Sequence, residues 1–168
     1  APAQAQTIKM KLSHPYPTVT QHHKHMEFFK AEVEKRTGGR LVVELFPASQ
    51  LMPLTQEING ILSGQIQAAF SLNTIAATID PLWGFFEMPF VFNITADDQS
   101  HLKRFVRSER GGGVLRASLE AKGLKVIAIA PTDIVAATIN TKRPISKLED
   151  FAGLKMRIPG GKYLGQTI

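Results

Sequence analysis

There is no cysteine anywhere in these 168 residues, so disulfide frameworks, thiolate nucleophiles and zinc–thiolate sites are excluded at once. No run of about 18 apolar residues occurs either, and the longest apolar stretches are strand-sized, so the sequence holds no membrane-spanning helix. Aromatic residues other than the ten Phe are scarce, with one Trp and two Tyr. Acidic residues are outnumbered, 14 Asp and Glu against 20 Lys and Arg, for a formal net charge of +6. Such a balance raises nucleic acid as a partner, but the cations are spread along the chain. The one dense patch, Lys103, Arg104, Arg107 and Arg110, puts Lys103, Arg107 and Arg110 at i, i+4 and i+7 of a helix, the pattern of a solvated face, and nucleic acid is not expected.

Catalytic signatures are missing too: G-x-S-x-G and H-E-x-x-H do not occur. "RGGGV" at 110–114 lacks the frame of a phosphate loop or a dinucleotide fingerprint and reads as a helix break. Glu57 and Asp80 are single carboxylates with no evident acid–base partner. His22, His23 and His25, with His14 nearby, place two imidazoles three residues apart. A zinc site needs three or four ligands with supporting carboxylates, which are sparse here, so no metal or cofactor is expected.

What is present is an ordinary globular composition, 43% hydrophobic and 20% charged, with hydrophobic periods that alternate between two and 3.6. "TIKMKLSH" alternates Ile8, Met10 and Leu12 with lysines, as a half-buried strand does. Met26, Phe29 and Val33 give a helix over about 20–37, stopped by Gly38 and Gly39, and "RLVVELFP" is a second strand, parallel to the first. Leu54, Ile58, Ile61 and Leu62 mark another helix, and "IQAAFSL" reads as a strand buried on both faces. These repeated units predict an α/β fold. "PLWGFFEMPFVF" reads as core packing beneath a loop, with the wall of a cleft as the alternative. Further on the pattern predicts a helix through Leu102, Phe105 and Val106, an amphipathic stretch ending at Gly123, and two apolar strands, "LKVIAIAP" and "DIVAATIN". A capping box, Ser146 with Glu149, opens a short helix before a last strand, "LKMRIP". The opening "APAQAQ" reads as the small-residue end left when a signal peptide is removed, which predicts export.

Arg157 interrupts that last apolar strand just before Pro159, Gly160 and Gly161. Strand carboxyl ends are where ligands gather in open α/β sheets, and a guanidinium offers a planar fork of donors that fits a carboxylate. On spacing alone, anion binding and a solvent-facing or ion-paired arginine stand level.

Four stretches in order, "TGGRLVVELFPASQL", "ILSGQIQAAF", "FEMPFVF" and "ISKLEDFAGLKMRIPG", together resemble the substrate-binding proteins of tripartite ATP-independent periplasmic (TRAP) transporters, the dicarboxylate-uptake family. The resemblance runs from about Ile8 to Gly161. It implies a periplasmic-binding-protein-like fold of two lobes, with 1–132 as most of lobe one and 133–168 as the start of lobe two. It implies a periplasmic protein, not an enzyme, that closes on an organic anion and delivers it to the membrane permease. An enzyme or a sensor domain on the same architecture is the rival. Arg157 occupies the position of the family's carboxylate-pairing arginine, while Ser13, His14, Ser71 and Asn73 fall at the ligand-facing ends of the first and third strands. Val135 and Leu72 stand where some sugar-acid-binding relatives carry a second arginine and a carboxylate, which implies a smaller or more apolar acid. Family members are roughly twice as long.

Overall fold

The computed structural model describes residues 7–88, 91–92, 99–130 and 144–155. Three parallel strands lie in the order β2-β1-β3. β1 (Ile8–Ser13) passes from the exposed Ile8 to the buried Leu12 and Ser13. It pairs in register with β2 (Leu41–Phe46), from Ile8↔Leu41 to Ser13↔Phe46. β3 is only Ala68–Ala69, opposite Leu12 and Ser13, and is shorter than the predicted strand.

Helix α1 (Gln21–Arg36) crosses from β1 to β2. Thr20 caps it, its hydroxyl accepting from the His23 amide at 3.4 Å, and it ends at Gly38 and Gly39, whose φ of 57° and 75° suits residues without a Cβ. Met26, Phe29 and Val33 of α1 pack with Leu12, Val43 and Ala68 of the sheet, each fully buried aliphatic contributing roughly 1.5–3 kcal/mol. Glu34 of α1 also reaches β2, accepting from the Val43 amide at 2.9 Å.

A second core joins α2 (Glu57–Leu62), α3 (Asn73–Ile79), a 3-10 segment at Pro81–Glu87 and α5 (Val114–Glu120), through Ile58, Ile75, Ala76, Trp83, Leu115 and Leu119. Trp83 is 5% exposed and its indole N–H donates to the Leu115 carbonyl at 3.1 Å. The core reading of "PLWGFFEMPFVF" therefore holds at Trp83, while Leu82 and Met88 are exposed.

α4 (Ser100–Arg107) buries Leu102 and Val106. The expected break at Gly111–Gly113 is instead a wide π-turn over Glu109–Gly113 that leads straight into α5. Since α4 ends at Arg107, Arg110 does not continue its basic face.

Two further expectations are corrected. Residues 124–130 form no strand: Leu124 is buried, Val126 and Ile129 pack on the second core, and Ile127 is 69% exposed. The alternation of a strand is there without a strand partner among the described residues. Near the chain's end, the short 3-10 helix Leu148–Phe151 is capped by Asp150, which accepts from the Ser146 and Lys147 amides at 2.8 and 3.1 Å. The Ser146–Glu149 box does not form, because the carboxylate one residue further on reaches both amides. "DIVAATIN" and the division between 1–132 and 133–168 lie outside the described residues.

Candidate functional site

Because the three strands are parallel, their carboxyl ends share one edge of the sheet, and the residues that follow them meet there. The turn after β2 helps to pin this edge. Ala48 and Ser49 adopt φ of 51° and 58°, a conformation unfavourable to side chains with a Cβ. They are held by the Ala48 amide donating to Tyr16 O at 3.0 Å and the Ser49 amide donating to His14 O at 3.1 Å.

Ser13 and His14 are both completely buried. The Ser13 hydroxyl donates to Glu57 Oε1 at 3.0 Å. Glu57 opens α2, is itself fully buried, and leaves its Oε2 without a hydrogen-bond partner. Burial pushes its carboxyl up to about 7, against the opposing pull of the hydrogen bond from the Ser13 hydroxyl. The Ser13–Glu57 pair is sealed from solvent, so it presents no nucleophile to a substrate.

His14 sits in a directed chain. The Tyr16 amide donates to its Nδ1 at 3.2 Å, so the neutral ring carries its proton on Nε2 and donates to His23 Nδ1 at 3.1 Å. His23 then holds its own proton on Nε2, 3.4 Å from Glu27 Oε1. Burial, with the neighbouring His23 and His22, lowers the His14 pKa. Of the other imidazoles, His22 stacks on Tyr16 with centroids 4.0 Å apart and Phe70 tilts against both rings, while His25 contacts Gln21. Among the described residues no group of three ligating side chains could hold a metal.

Ser71 and Asn73 are half-buried and line a cavity of about 560 Å³. Its other walls are mostly apolar, with Leu72, Phe70, Trp83 and Phe86 among them. The structure thus divides the four predicted strand-end residues: Ser71 and Asn73 on the cavity wall, Ser13 and His14 behind it. Arg157 and Val135 lie outside the described residues.

Sequence reasoning missed the role of Glu57. A signal was available: Leu54, Ile58 and Ile61 mark the buried stripe of this segment, and Glu57 falls beside them, three residues after Leu54. The ring cluster of Tyr16, His22 and Phe70 was missed because three separate segments supply it.

The family model for "Bacterial extracellular solute-binding protein, family 7" matches residues 12–168. This chain belongs to that family. Among family 7 relatives, a C4-dicarboxylate-binding periplasmic protein of Rhodobacter capsulatus is 32% identical over 167 residues, 97% of this chain and 47% of the relative. The 2,3-diketo-L-gulonate-binding periplasmic protein of Escherichia coli is 34% identical over 129 residues, 77% of this chain and 38% of the relative. Of solved family structures, a TRAP periplasmic solute-binding protein from Sulfurospirillum deleyianum with bound succinate aligns with TM-score 0.61 at 27% identity, over 70% of this chain and 36% of that one. One from Haemophilus influenzae with bound L-gulonate aligns with TM-score 0.64 at 25% identity, over 73% and 38%. The chain spans about half the length of the curated relatives it matches. The α/β fold expected for a lobe of such a binding protein is the fold found.

Proposed function

We propose that this chain is the ligand-capturing part of an extracytoplasmic solute-binding protein that resides in the periplasm, takes an organic acid into a cleft between lobes and passes it to a TRAP membrane permease. It performs no covalent chemistry. Arg157 pairs with the ligand's carboxylate, and Ser71 and Asn73, with Ser13 and His14 behind them, furnish the lobe-one side of the site. The observation that carries this reading is the family match across residues 12–168. The convergence of Ser13, His14, Ser71 and Asn73 at one edge of a parallel sheet supports it. Relatives are binding proteins by name, which supports capture rather than turnover. Leu72 and the apolar walls of the cavity beside it favour a less polar acid than the sugar acids some family members bind.

Closure of the lobes drives water from around the arginine. In such surroundings, removing one partner of a charge pair costs about 3–5 kcal/mol, and each 1.4 kcal/mol is about a factor of ten in affinity. Arg157→Ala should therefore weaken binding roughly a hundredfold or more. Titration calorimetry with succinate, L-gulonate and pyroglutamate, on the chain with whatever further residues its gene encodes, tests this. A loss below about fivefold removes Arg157 as the anchor, and turnover of a bound acid would replace capture by catalysis.

A further inference from the structure

His14 and His23 form a buried pair that the capture of an acid leaves unexplained. His14 follows β1 directly and His23 belongs to α1. Their rings hold four nitrogens, and each is already engaged. His14 Nδ1 accepts from the Tyr16 amide at 3.2 Å, the Nε2–H of His14 donates to His23 Nδ1 at 3.1 Å, and the Nε2–H of His23 faces Glu27 Oε1 at 3.4 Å. Two nitrogens donate and two accept, so the neutral pair has no lone pair left for a further proton.

What the pair holds is the edge around it. Tyr16 O accepts from the Ala48 amide at 3.0 Å and His14 O from the Ser49 amide at 3.1 Å, across the turn whose φ is positive at Ala48 and Ser49. The Tyr16 ring stacks on His22 and tilts against Phe70, and Phe70 lines the cavity beside Ser71. A proton added to the pair must break one of its bonds. On His14 Nδ1 it sets one N–H against that of Tyr16. On His23 Nδ1 it sets one N–H against that of His14. The pair then stays together only if His14 moves its own proton from Nε2 to Nδ1, and that again expels the Tyr16 amide.

We propose that the His14–His23 pair is a one-proton latch: neutral, it clasps the Tyr16 amide and so fastens the turn at Ala48 and Ser49 and the ring cluster to the sheet edge, and on taking up a proton it lets that amide go. The proton comes from solvent, where the exposed Glu27 borders His23. The latch is a property of the fold and does not depend on solute binding. Burial, with the neighbouring His23 and His22, lowers the His14 pKa from 6.5, so the released form binds the proton more readily and the clasped form loses ground as pH falls below that value. The other titratable groups facing the pair are His22 of α1 and the Tyr16 phenol. Glu57 of α2, bonded to the adjacent Ser13, has the opposite sign: its pKa is raised to about 7, so its protonation favours the folded state and cannot drive the release.

The test is nuclear magnetic resonance of the same chain, with no acid added, from pH 8 to pH 5. At pH 8 the imidazole nitrogen shifts should report the Nε2–H tautomer for both His14 and His23. Below pH 6.5 the opening constants of the Tyr16, Ala48 and Ser49 amides, from hydrogen exchange corrected for its intrinsic pH dependence, should climb by up to about tenfold per pH unit, the slope of a single proton. Met10 and Leu12, in the ladder of β1, should open less often throughout. His14→Gln, which cannot titrate, should abolish the climb, and His22→Gln should keep it. The opposite tautomer at His14, opening constants that ignore pH, or all five amides opening together each overturns the latch. So does a climb that survives His14→Gln or vanishes in His22→Gln. The tautomers and the native exchange profile are read on the unaltered chain, so they decide the matter even where a variant does not fold.

Discussion

A carboxyl stripped of water ionises reluctantly, and Glu57 therefore ties the stability of the fold to pH whether or not a ligand is present. Its ordinary value is 4.5, and burial raises it to about 7 in the folded chain. Between these values the folded state binds more protons than the unfolded one, so stability falls as pH rises through the window. At 1.36 kcal/mol per unit the full loss, reached above about pH 7, is on the order of 3 kcal/mol. His14 acts at the other end. Its pKa is lowered from 6.5, so the unfolded state binds the extra proton and stability is lost as pH falls below that value. Glu57→Gln should remove the alkaline loss, narrowing the gap between urea midpoints measured at pH 5 and pH 8. An unaltered gap would mean that the carboxyl keeps its water. At this scale the sequence showed which residues close the strands but not what they face. Ser13 and His14 could be placed at a strand end from the alternation of β1, whereas the partner of Ser13 lies 44 residues away and leaves no local trace.

Among the elements, the glycines of "RGGG" illustrate how a motif can be sterically required without binding anything. A Cβ on Gly111 would lie 2.6 Å from the Phe105 carbonyl oxygen, and one on Gly112 would collide with the Val106 carbonyl. The π-turn thus folds directly against the last turn of α4, where Arg116 also donates to the Val106 carbonyl at 3.0 Å. Backbone cannot move aside as a flexible side chain can. Gly112→Ala should destabilise by about 2 kcal/mol or more, seen as a lower thermal midpoint, whereas Gly38→Ala meets no neighbour and strains only its own backbone. Equal effects at the two positions would contradict this packing. β1, α1 and β2 were legible because period and punctuation agree in each: alternation ending at a turn, an apolar stripe capped by Thr20 and closed by Gly38 and Gly39. The 3-10 segment at Pro81–Glu87 was not, since its apolar residues fit neither period. The strand predicted over 124–130 failed for another reason. Apolar alternation records which side chains seek the core, not whether a neighbouring strand is there to take the backbone bonds.

For the molecule as a whole, burial and hydrogen bonding part company along the 560 Å³ cavity. On one side β1 and β2 share a full parallel ladder across the chain's best-buried residues, Leu12 and Val43 among them. On the other, residues 125–130 line the cavity and place Val126 and Ile129 on the second core, yet their amides make no backbone hydrogen bond among the described residues. Apolar contact alone leaves an amide exposed to exchange, because protection follows the hydrogen bond and the free energy needed to open it. The two stretches should therefore separate in hydrogen exchange despite their similar apolar content: amides of Met10 and Leu12 exchanging near the rate of global unfolding, those of 125–130 within the first time points. Adding the acid that the site captures should slow exchange around Ser71 and Asn73 first, since they stand on the cavity wall. Equal protection of 8–13 and 125–130 in the free chain would show that the amides of 125–130 have acceptors beyond the described residues. Its dependence on protein concentration would then decide between a second copy of the chain and a segment of the same one.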